Sequence, residues 1–155
     1  MSKFSDLNRA VLDAIKAGRI GQPVFVRCLI HSVDNSKESA GPLAAVVQAV
    51  QNWVGEPVHR IYPADSRGET VTLAIRFRAG ASALVSTIRS RSRSGFDLIV
   101  LGNHGAMYHE GLAGEGEGRS GSSNIEIVDV PPALLTAVEN AIRSGAMQVL
   151  PEGRP

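Results

Sequence analysis

Cysteine is nearly absent from this chain of 155 residues, and Cys28 stands alone. One thiol excludes an internal disulfide and suits a reducing compartment. Aromatic residues make up only 5%, which leaves few platforms on which bases could stack. Neither sign of charge dominates: 16 Lys and Arg against 15 Asp and Glu leave a net charge of +1. No global field therefore points to a nucleic acid or a membrane. No apolar run approaches the roughly 18 residues of a membrane span. Lys3, Asp6, Arg9, Asp13 and Lys16 break up the first twenty residues, which is not the pattern of a signal peptide. The expected location is cytoplasmic.

What is present is enough apolar residue, 43%, to build one core in one domain over 1–155. The stretch that organises the rest is Gly41 to Gly55, GPLAAVVQAVQNWVG. Leu43, Val46, Val47, Val50, Trp53 and Val54 recur at steps of three and four, which predicts a helix with a wide buried stripe. Gly41 stands where an N-cap would, Pro42 suits the first helical position, and Gly55 can leave the helix with positive φ. The remaining face holds Ala44, Ala45, Gln48, Ala49, Gln51 and Asn52. None of these is a strong acid, base or nucleophile.

A first helix begins near Ser5 and ends at Gly18, with Leu7, Val11, Ala14 and Ile15 buried. The β-branched run 23–33 reads as a strand, and 57–64 as a shorter one. In 70–78, Val71, Leu73, Ile75 and Phe77 alternate with Thr70, Thr72, Ala74, Arg76 and Arg78. The turn Ala79–Ala81 predicts an antiparallel return over 82–92, and 96–103 and 106–111 form a second hairpin. Residues 112–123 carry glycines and no core pattern and are expected to be a flexible loop. A last strand over 124–130 precedes a helix that opens at Pro132 and closes at Gly145.

Helices segregated from hairpins predict an α+β fold: an open, mostly antiparallel sheet of about six strands with about three helices on one face. The free face is expected to carry Thr70, Thr72, Ala74, Arg76, Val85 and Thr87, with Ala83 among them. A mildly apolar sheet face left uncovered is a candidate dimer interface.

Other chemistry is thinly represented. Cys28 and His31 point to opposite faces of one strand, which is poor for a shared metal, and no metal site is expected. His104 sits in a glycine turn that needs no functional reading. Arg89, Arg91 and Arg93 alternate with serines and read as a solvated edge, or as salt-bridge partners for another chain's acidic residues, rather than an anion or nucleic-acid stripe. Serines are plentiful, but no G-x-S-x-G elbow is present.

Several stretches together resemble a known family. NRAVLDAIKAGRIGQPVFVR (8–27) is similar to a helix, a "G-x-I-G-x-P" turn and a strand, and "W-V-G-E-P" (53–57) to a helix end before a strand. ETVTLAIRFRAGASALVS (69–86) and DLIVLGNHGAMYHEG (97–111) resemble paired hairpins, and AVENAIRSGAMQVLP (137–151) a final helix and tail. In this order they resemble the C-terminal domain of the glucose–fructose oxidoreductase and inositol dehydrogenase family.

The resemblance implies an N-terminal Rossmann domain that binds NAD(P), a sugar or polyol substrate, and an oligomer interface on the open sheet. It also implies a lysine of the Rossmann domain and an Asp/His pair on the helix that matches 41–55. Two departures stand out. No G-x-G-x-x-G lies between an early strand and a helix in this sequence, and GEGEGR (114–119) is acidic and leads into a strand. The places of the helix's acid and base are held by Gly41, Ala45 and Gln48, none of which transfers a proton.

The chain is therefore expected to have no catalytic residues and no cofactor of its own. It reads as a homodimeric binding module for a small polar, sugar-like ligand near His31, Gln48 and Asn52. For His31 the plainer reading is a hydrogen-bonded histidine. The alternative is the substrate-side subunit of a split dehydrogenase, with NAD(P) carried by a separate Rossmann chain.

Overall fold

The structure is a computed structural model, and it describes residues 3–32, 40–66, 70–89, 94–112 and 129–151. The elements in order are α1 (Lys3–Lys16), β1 (Pro23–Ser32), α2 (Ala40–Val54), β2 (Val58–Asp65), β3 (Thr70–Phe77) and β4 (Ser82–Arg89). They continue with β5 (Gly95–Gly102), β6 (Ala106–Leu112), α3 (Pro132–Ser144) and a short β7 (Gln148–Val149). One sheet of order β6-β5-β1-β4-β3-β2-β7 contains every described strand. Only β1 and β4 run parallel; the other pairs are antiparallel. The fold is α+β with an open, mostly antiparallel sheet. The strand expected over 124–130 lies outside the described residues, save for Asp129 and Val130, which are not in a strand; the loop expected over 112–123 lies outside them from 113 onward.

Register decides which side chains meet the helices. Cys28 of β1 lies opposite Val85 of β4 and Leu98 of β5, and Val85 lies opposite Leu73 of β3. These four are buried, and they join Val26, Ile30, Ala83, Ile75, Ile61, Phe96 and Val100 in one core with the helices. Phe4 of α1 packs on Phe96 with ring centroids 5.2 Å apart, which fixes this as the helix side of the sheet. Trp53 of α2 is buried in the same core, and its indole Nε1–H donates to Asn8 Oδ1 at 2.7 Å, so α1 and α2 are joined by a satisfied polar contact. No polar or charged residue is fully buried among the described residues.

α2 starts one residue before the predicted cap, so Gly41 and Pro42 lie in its first turn, and Gly55 leaves it at φ +74°. Its end is tied to the sheet: the Gln51 side chain accepts from Val58 N at 3.0 Å, and Gln22 Nε2 donates to Val54 O at 2.6 Å. α3 opens with Pro131 and Pro132 and closes at Gly145 in the left-handed region, whose N–H donates to Ala141 O.

The two glycine turns noted in the sequence lie against each other. Asn103 N donates to Gln22 O at 3.0 Å, Gln22 N donates to Asn103 Oδ1 at 2.9 Å, and His104 N donates to Ile20 O at 3.2 Å. A Cβ on Gly102 would collide with the Ile20 carbonyl, and one on Gly21 with the Asn103 side chain. Both glycines are needed so that the α1–β1 and β5–β6 turns can touch. His104 belongs to this junction.

Candidate functional site

Among the described residues, no helix lies on the sheet's second face. Even-numbered positions of β3 and β4 share it, because the three-residue turn puts Phe77 opposite Ala81: Phe77 N donates to Ala81 O at 3.0 Å. Thr72 then faces Ser86, Ala74 faces Leu84 and Arg76 faces Ser82. Phe25, Leu29, Leu84, Ile88, Ile99 and Leu101 are all half-buried on this face, and Tyr108 is 68% exposed at its β6 edge. A Thr72–Ser86 hydroxyl hydrogen bond of 2.9 Å crosses it. The face is broad, carries these apolar side chains around exposed Arg27, and is uncovered by any described residue.

Of the predicted interface residues, Thr70, Thr72, Ala74 and Arg76 are on this open face. Val85 and Thr87 are not: Val85 is 0% exposed and in register with Leu73, and Thr87 with Val71, both on the helix side. Ala83 is buried there too. The cause is the phase of the hairpin. Both faces of β4 carry apolar residues, so composition does not choose between them, whereas the turn length does. Leu84, Ser86 and Ile88 take the predicted places. The same phase sends Arg89 to the side opposite Arg76; Arg91 and Arg93 lie outside the described residues.

The three predicted ligand contacts do not assemble. Gln48 Nε2 donates to Asn52 Oδ1 at 3.1 Å on α2, one helical turn apart. His31 is across the sheet, on the open face, where its Nε2–H donates to Asp97 Oδ2 at 2.9 Å, with side chains 19% and 35% exposed. It is the hydrogen-bonded histidine of the plainer reading. A ligand could touch Gln48 and Asn52 or His31, but not all three. Gln48 Oε1 is buried with no partner among the described residues, an acceptor left unmatched beside Asn52.

Sequence reasoning passed over Asp97, Glu110, Arg27 and Arg60. They alternate into the open face in register: Asp97 with Leu29 and Glu110, Arg27 with Leu84 and Ile99, Arg60 with Arg76. The signal that would have found them is the same two-residue period, continued across all six long strands once the hairpin phase is fixed.

Reactive chemistry is sparse. The Cys28 thiol is pushed up to about 12, chiefly by burial and secondarily by the Asp97 charge, so it stays protonated and inert at neutral pH. No group of three or more metal-ligating side chains occurs among the described residues. Pro131 and Pro132 remove N–H donors from the start of α3, and Pro42 removes one from the first turn of α2. No helix among the described residues is long and apolar enough to cross a membrane.

Solved structures share this architecture. A protein of Sinorhizobium meliloti 1021 assigned as a myo-inositol dehydrogenase superposes with a TM-score of 0.68 at 14% identity, over 93% of this chain and 62% of that one. The chain has the fold of one domain of such dehydrogenases. Scyllo-inositol dehydrogenase from Lactobacillus casei, solved with NAD(H) and scyllo-inositol, gives 0.58 at 12% identity over 69% of this chain and 39% of its own. Myo-inositol 2-dehydrogenase from Lactobacillus plantarum gives 0.54 at 16% over 66% and 38%. The chain thus spans about two fifths to three fifths of the length of these three dehydrogenases, which accords with the C-terminal domain that its motifs resemble. No family model matches the sequence, and no curated protein matches it. Within this dehydrogenase-type fold, the helix that holds Gly41, Ala45 and Gln48 is α2, whose polar side chains are half-buried Gln48 and Gln51 and exposed Asn52.

Proposed function

We propose that this chain is a non-catalytic assembly module that forms a homodimer through the open face of its sheet. The observation that carries this reading is the asymmetry of the sheet. One side is sealed by three helices, while the other leaves Phe25, Leu29, Leu84, Ile88, Ile99 and Leu101 half-exposed around Arg27. A sheet face with that much accessible apolar surface is unusual on a monomer and can pair with its own copy under twofold symmetry. No side chain of α2 transfers a proton, and prolines take the place of N–H donors at the starts of α2 and α3, so catalysis is not assigned to it. A small polar ligand would be held at Gln48 and Asn52, where the unmatched Gln48 Oε1 would accept from a hydroxyl.

Sedimentation equilibrium at micromolar concentration tests the reading. A mass of twice 16.4 kDa is expected, and a monomer at ten times that concentration contradicts it. A second reading is favoured by the length comparison: the dehydrogenases of this fold have chains longer than this one. Here the module is the substrate side of an oxidoreductase, and a separate Rossmann chain carries NAD(P). NAD(P)H fluorescence titration separates the two, since the module alone is expected to give no saturable binding.

A further inference from the structure

Resting on the dimer reading above, we infer that the second copy docks with its strands crossed over the first, so that Arg60 and Arg76 of each copy meet Asp97 and Glu110 of the other. The basis is where the charges stand. Arg60 and Arg76 are neighbours at one corner of the open face, in the row that continues through Ser82, Phe25 and Leu101. Asp97 and Glu110 are neighbours in the row of Thr72, Ser86 and Leu29. The two rows are four residues apart along the strands, about 13 Å, and β3 and β5 are three strand spacings apart, about 14 Å. The basic pair thus stands at one corner of the face and the acidic pair diagonally across from it, one row short of the Ile88, His31 and Gly95 row.

When two copies of one face meet, the twofold axis lies between the sheets and parallel to them. An axis along the strands lays Arg76 on the partner's Leu101 position and Glu110 on its Asp65 position, burying one cation on an apolar patch and setting two acids together. An axis across the strands lays Arg60 on Asp65 but Arg76 on Thr72, Asp97 on Leu101 and Glu110 on Ala106, so three of the four charges find no countercharge. Only the diagonal axis lays the basic corner on the acidic one, twice, by symmetry. The two sheets then cross at a steep angle, an established mode of sheet packing. His31 supports the arrangement by holding Asp97 Oδ2 and so orienting the carboxylate on the open face. Arg27, in register with Leu84 and Ile99, falls near the axis and faces its own counterpart.

The test uses two charge-reversed variants of the full chain, Arg60→Glu with Arg76→Glu, and Asp97→Lys with Glu110→Lys. Each alone is expected to raise the dimer dissociation constant at least ~100-fold, because like charges then meet at both corners. Mixed in equal amounts, they are expected to recover a dimer that is entirely heterodimeric by native mass spectrometry. Far-UV circular dichroism shows that both variants are folded. As a second measurement, Arg76→Cys with Asp97→Cys in one chain should oxidise to a covalent dimer, whereas Arg76→Cys alone should not. Folded variants that stay monomeric when mixed, with no cross-link, overturn the crossed geometry while the native dimer stands. A native chain that is monomeric overturns the dimer reading itself.

Discussion

The two faces of the sheet are made from the same five central strands and obey opposite rules. On the helix side, every position from Val26 to Ile30 of β1 that points inward is apolar and buried, and so are Leu73, Ile75, Ala83, Val85, Leu98 and Val100. On the open side, residues one step away along the same strands are half-exposed, and charges stand among them: Arg27, Arg76 and Asp97. The lesson is that one face is composed for packing within the chain and the other for contact beyond it. A polar atom is excluded where burial is complete and permitted where water, or a partner's countercharge, can still reach it.

The largest contrast lies between adjacent residues of β4. Val85→Asp puts a carboxylate into the core between Cys28 and Leu73, with no partner, and should cost about 4–5 kcal/mol or more. Because a domain of this size is stable by about 5–15 kcal/mol, urea denaturation should show a protein at or near unfolding. Trp53→Ala, also on the helix side, removes the largest buried side chain and orphans Asn8 Oδ1. It should lower stability by about 3–5 kcal/mol in the same assay, with the dimer constant changed only in proportion to the folded fraction.

A milder probe of the sealed face is Cys28. Its thiol should resist labelling at neutral pH and react at once in denaturant. Its folded pKa, raised to about 12 from 9.0 in the unfolded chain, also has a sign. Below 9 both states hold the proton and stability is unaffected; from about pH 9 to 12 only the unfolded state loses it, so this group lowers stability as pH rises through that window. A Cys28→Ser variant should show a shallower decline across it. The smallest expected effect belongs to the open face. Arg27→Ala removes a like charge near the twofold axis and should tighten the dimer by roughly threefold, measured by sedimentation, with the melting temperature of the protomer little changed.

The fold was legible in the sequence where local signals were strong. The 3.6-residue stripe of α2, the Pro and Gly brackets of α3 and the alternation of β3 needed only neighbouring residues, and all three elements appear within a residue or a few of the expected ends. The open face was legible as an idea and not as a residue set. Its phase depends on how two strands are joined, and three consecutive apolar residues in β4 (Ala83, Leu84, Val85) hide that phase from composition. The ligand trio failed for a related reason. His31 is the residue next to inward-facing Ile30, and a single step along a strand carries a side chain through the sheet. Asp97, its partner 66 residues away, is set beside it only by the β1–β5 register.

The most direct test of the central claim is sedimentation velocity of Leu84→Asp beside the native chain. Leu84 lies at the centre of the open face, half-buried and in register with Ala74 and Arg27. The account predicts a folded monomer where the native chain is a dimer, with a cooperative melt close to the native one. A variant that unfolds as Val85→Asp does, or that keeps the native mass, would contradict it.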